Sequence, residues 1–66
     1  MSIEEIRNVV AKVQELDDKC AFPSKELLTE LKACGEALPA HKHSIDTEEF
    51  RFLSDYIAQT LFISMF

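Results

Sequence analysis

Apolar residues recur at helical spacing from the first turn of the chain. Ile6, Val9, Val13, Leu16 and Cys20 advance in steps of 3, 4, 3 and 4, with Ile3 and Val10 beside them, which is the rhythm of one narrow stripe along a helix. Ser2 followed by Glu5 forms a capping box at its start, so the pattern predicts a helix over 2–20. Arg7, Lys12, Glu15, Asp17 and Asp18 fall off the stripe and read as its solvated face. Phe22-Pro23-Ser24 then breaks the period. Proline cannot continue a helix, and Ser24 can cap a new one with Glu26 in its first turn. The second stripe is Leu27, Leu28, Leu31, Cys34 and Leu38, and Pro39 disfavours helical geometry at the residue before it. A helix over 24–37 follows, running past Gly35, with a loop over 38–45. Asp46 with Glu49 makes a second capping box, and Ile45 and Phe50 stand at the two positions of a hydrophobic staple. The third helix is expected over 46–66.

The short connection around Phe22 forces the first two helices antiparallel, so facing positions share a constant sum. Leu16 with Leu28, Val13 with Leu31, Val10 with Cys34 and Ile6 with Leu38 each sum to 44. In that register Cys20 and Cys34 lie roughly 15 Å apart along the hairpin. A disulfide needs Cα atoms within about 7 Å, so both cysteines are read as reduced thiols at apolar helix positions.

The third helix is the unusual one. After Asp55 no charged side chain occurs through Phe66, and five of the six aromatic residues, Phe50, Phe52, Tyr56, Phe62 and Phe66, belong to this segment. With Leu53, Ile57, Leu61 and Ile63 it is apolar nearly all round, whereas one hairpin covers only one face. The expectation is therefore an all-α fold, an antiparallel helical hairpin plus a long C-terminal helix in a single domain over 1–66, completed by self-association as a homodimer. The interface is assigned to Phe52, Tyr56, Gln59, Phe62, Ile63 and Phe66. The competing arrangement folds Phe62, Met65 and Phe66 back onto the hairpin and closes a monomeric bundle.

Charge narrows the functional classes. Twelve acidic residues against seven basic ones leave a net charge of −5, the wrong sign for gripping phosphates, so no direct nucleic-acid contact is expected. The run into the third helix is also too long for a helix-turn-helix reader. No stretch reaches the roughly 18 apolar residues of a membrane span, and the acidic start Ser2-Ile3-Glu4-Glu5 does not resemble a signal peptide. The expected location is cytoplasmic, with no membrane partner. His41 and His43 flank Lys42 without a paired cysteine motif and read as loop histidines, not as zinc ligands. No catalytic, metal or cofactor residue is assigned. The functional expectation is a non-enzymatic protein-interaction module, adaptor or regulator, acting as a homodimer on an unidentified protein partner. The alternatives are an acidic inhibitor that mimics nucleic acid on a basic surface, and a structural subunit of a larger complex.

Overall fold

The computed structural model describes residues 1–64. Three helices, α1 over Ile3–Asp18, α2 over Lys25–Ala37 and α3 over Thr47–Ser64, are joined by a six-residue link and by a short 3-10 helix over Leu38–His41. The described residues contain no strand, and the fold is all-α. No helix among them is long and apolar enough to cross a membrane.

The N-terminal caps form where the serines stand. Ser2 Oγ accepts from the Glu5 backbone N–H at 3.2 Å, and Ser24 Oγ accepts from that of Leu27 at 3.1 Å. Each satisfies a donor that the first helical turn would otherwise leave orphaned. Ile45 and Phe50 are half-buried and both pack on the core, as a staple at the start of α3 requires. Glu49 is used differently from expectation: its two carboxylate oxygens take Arg7 Nε at 2.6 Å and a second guanidinium nitrogen at 3.2 Å. Arg7 is thus a tie between α1 and α3 instead of part of a purely solvated face. The pair holds Glu49 below the usual carboxylate range and raises the guanidinium above its ordinary value, mainly through this hydrogen bond.

Nine residues make the core: Ile6, Val9, Val10 and Val13 of α1, Leu31 and Cys34 of α2, Leu38, and Leu53 and Ile57 of α3. The inner members of the equal-sum pairs are among them, while Leu16 and Leu28 are only half-buried. Cys34 has an additional neighbour, because its thiol lies 3.4 Å from Met1 Sδ. The residue ahead of the α1 cap therefore reaches Cys34 as well, a contact that strict pairing of the two antiparallel helices does not anticipate. Burial pushes the Cys34 thiol up.

Three boundaries depart from expectation, each for a local reason. First, α1 ends at Asp18, not at residue 20. The Ala21 N–H reaches Leu16 O at 2.9 Å and the Cys20 N–H reaches Asp17 O at 3.0 Å, the bond pair of a Schellman motif. Cys20 occupies its left-handed position with φ 56° and is exposed, so it is a cap residue instead of a stripe residue. Second, Leu38 keeps helical angles, φ −56° and ψ −42°, despite Pro39. Its side chain is 2% exposed, and core burial outweighs the steric bias of the proline. Third, the expected loop over 38–45 therefore opens as the 3-10 helix. His41 there is half-buried, with Nε2 donating to Met1 O at 2.8 Å.

Helix α2 passes through Gly35 without a break. A Cβ placed there would stand 3.1 Å from Ile57 Cγ2, so the glycine is the gap into which α3 packs. Ile57 is 3% exposed and β-branched, hence stiff at χ1. Gly35→Ala should gain about 1 kcal/mol of helix propensity but lose about 1 to 3 by overpacking, for a net destabilisation in urea denaturation. In an Ile57→Ala background the same change should become stabilising; a stabilising Gly35→Ala in the wild-type background would show that the gap is not filled.

Candidate interaction surface

Helix α3 turns two apolar stripes in different directions. Successive residues lie about 100° apart around a helix, which puts Leu53, Ile57 and Leu61 on the inward stripe and Phe52, Tyr56, Gln59 and Ile63 on the one beside it. Leu53 and Ile57 are buried, and Leu61 packs against them. The second stripe runs toward the C-terminal end of α1. The Phe52 and Tyr56 rings stack with centroids 5.9 Å apart at 29°.

At that end the helices leave a half-open pocket of about 330 Å³. Val13 and Asp17 of α1 form one wall, Cys20, Ala21, Phe22 and Pro23 of the link form the rim, and Tyr56, Gln59, Thr60 and Ile63 of α3 form the other wall. Arg7 meets Glu49 near the starts of α1 and α3, and Asp17 meets the Tyr56–Thr60 turn late in both. The two helices consequently run parallel, with α2 packed on both of them. The pocket lies between them at the end away from that ion pair, with the core residue Val13 in its wall.

The six residues assigned to an interface are placed as follows. Tyr56, Gln59 and Ile63 line the pocket, and Phe52 continues it through its stack on Tyr56. Phe62 is 65% exposed but lies about 120° round the helix from Tyr56, on a different face. Phe66 lies outside the described residues. The sequence pattern missed the other half of the pocket, because Cys20, Phe22 and Pro23 read as the end of a helix and a break. The dipeptide Phe22-Pro23 did carry a signal. Proline biases the preceding residue away from helical geometry, and Phe22 is 89% exposed.

The electrostatics of the pocket are one-sided. Among the described residues Asp17 is the one charged residue in its lining, and Asp18 follows. Both sit in the last turn of α1, which holds no basic residue, so two carboxylates add to the partial negative charge of the helix C-terminus. Lys19 turns to Glu15 at 3.3 Å. Burial pushes the Tyr56 phenol above its ordinary value, and the charges of Asp17 and Asp18 push it the same way. Among the described residues no three His, Cys, Asp or Glu side chains are grouped to hold a metal ion, and Cys20 and Cys34 are free.

Comparison of this chain with family models, with curated proteins and with solved structures finds no match.

Two measurements probe this geometry. A non-glycine residue in the left-handed region costs roughly 1 to 2 kcal/mol, partly offset by the extra freedom glycine gives the unfolded chain. Cys20→Gly should therefore stabilise the fold by about 1 kcal/mol in urea, and a loss of stability would show that the thiol contributes contacts worth more than the strain. Tyr56 is the only tyrosine and there is no tryptophan, so its ionisation can be followed by absorbance alone. It should ionise above the ordinary tyrosine value of about 10, and Asp17→Asn with Asp18→Asn should bring it part of the way back. Because the folded value is raised, the stabilisation is fully present below the ordinary value and is lost as pH rises through the folded one. An unshifted titration in the folded wild type would contradict this placement of Tyr56.

Proposed function

We propose that this chain is a non-enzymatic protein-interaction module that receives a segment of a partner protein in the pocket between α1, the link and α3. The observation that carries this reading is the strained and exposed rim. Cys20 stands left-handed in it at φ 56°, and Phe22 is 89% exposed beside a pocket of about 330 Å³ that its own ring leaves unfilled. Backbone strain and unfilled apolar space both raise the free energy of the isolated chain, and proteins keep such features where a site uses them. A volume of this size is in the range of small recognition pockets.

Self-association through the same surface is the competing use. In a two-fold dimer the same patch is used on both chains, which would bring the Asp17 and Asp18 carboxylates of both into one interface, each chain with a net charge of −5. Like-charge juxtaposition costs free energy and favours a partner of different composition.

Cys20, at the rim and exposed, is a natural attachment point for a photoreactive maleimide. Illuminating the labelled protein in an extract of its source cells should give a discrete adduct. Ile63→Asp should lose that adduct while keeping the helical circular dichroism, since Ile63 is 68% exposed. A label moved to the outer face, through Cys20→Ser with Ser54→Cys, should give none. Equal adducts from both label positions, or none from either, would overturn the proposal.

A further inference from the structure

Resting on that reading, we infer that the pocket takes a short peptide segment in which a large apolar side chain is accompanied, one helical turn or less away, by an arginine. The apolar requirement comes from the lining, since Val13, Phe22, Tyr56 and Ile63 surround a space of about 330 Å³, enough for one or two large apolar side chains. The charge requirement comes from the wall beside it. Asp17 and Asp18 make no ion pair among the described residues, and the last turn of α1 holds no base. The nearest cation in sequence, Lys19, is engaged by Glu15 at 3.3 Å. Two carboxylates at the negative end of a helix dipole repel each other and the dipole, so the free chain is destabilised at the point where an incoming cation would relieve it.

Arginine satisfies this site better than lysine for a geometric reason. Tyr56 lines the pocket together with Asp17, close enough that the charges of Asp17 and Asp18 act on its phenol, and the half-exposed Phe52 ring stacks on it at 5.9 Å. A guanidinium can lie flat on an aromatic face while its donor edge meets a carboxylate, and an ammonium cannot make both planar contacts. An acidic segment would face Asp17 and Asp18 directly, and a second copy of this chain would bring two more carboxylates to the same place.

Three synthetic twelve-residue amphipathic peptides test the inference on the full chain. One carries leucines along one face flanked by arginines, the second has glutamate in place of each arginine, and the third has serine in place of each leucine. Binding is followed by amide chemical shifts of Cys20, Phe22, Gln59 and Ile63. The leucine–arginine peptide should bind about tenfold or more tightly than the leucine–glutamate one. The preference should shrink as salt rises. Asp17→Asn with Asp18→Asn, both exposed positions, should abolish the preference while leucine-dependent binding persists, and the salt response of the wild type decides the matter should that variant not fold. Equal binding of the leucine–arginine and leucine–glutamate peptides overturns the charge requirement and leaves the interaction reading standing. Equal binding of the serine–arginine and leucine–arginine peptides overturns the apolar anchor. No binding by any peptide, with the photoadduct still formed at Cys20, overturns this choice of partner alone. A concentration-dependent dimer in sedimentation that protects the pocket amides shows a second copy to be the occupant and overturns the inference as well.

Discussion

The approach of Ile57 to Gly35 decides where the third helix lies and how it is turned. With a Cβ at position 35 the Ile57 branch would be met at 3.1 Å, so the glycine lets α3 settle close against α2. Rotation follows from the same contact. Once Ile57 points inward, helical geometry carries Leu53 and Leu61 to the core and swings Tyr56, Gln59 and Ile63 about 100 to 160° away, toward the end of α1. The two outcomes, a closed core and an apolar second stripe, are consequences of one packing contact. Helix α3 is apolar on both stripes because both have work: one is buried at Leu53 and Ile57, and the other lines the pocket.

The free chain keeps three locally unfavourable features in and beside that pocket. Cys20 is left-handed without being glycine, Phe22 is almost fully exposed, and Asp17 and Asp18 stand at the end of a helix that prefers positive charge there. Several local preferences are met elsewhere: serines cap α1 and α2, acidic residues open all three helices, and among the described residues no buried side-chain polar atom lacks a hydrogen-bond partner. The gathering of these conflicts at one end of the bundle is the physical basis for proposing an interaction surface there.

The opposite end is tied instead of open. Arg7 grips both oxygens of Glu49 across α1 and α3, and the His41 ring holds Met1 O, beside the Met1 contact to Cys34. The ion pair is half-exposed, with side chains 42% and 33% accessible, so solvent screens it and its main effect is orientation. It holds the start of α3 beside α1, at the end away from the pocket.

The sequence by itself determined the helices, their caps and the core stripes, because each depends on neighbours within one turn. A 3,4 spacing buries Ile6, Val10 and Val13 together, and Ser24 can bond only the first turn that follows it. Only the tertiary structure decided which of two apolar stripes on α3 is buried. Periodicity shows both, and the choice rests on a gap at Gly35 in another helix. It likewise decided that Leu38 stays helical before a proline, since the burial that holds it comes from distant residues. The left-handed Cys20 has no glycine or asparagine to announce it. It arises because the Schellman closure of α1 and the capped start of α2 at Ser24 must both be met within six residues, and that requirement exists only once α2 has folded back.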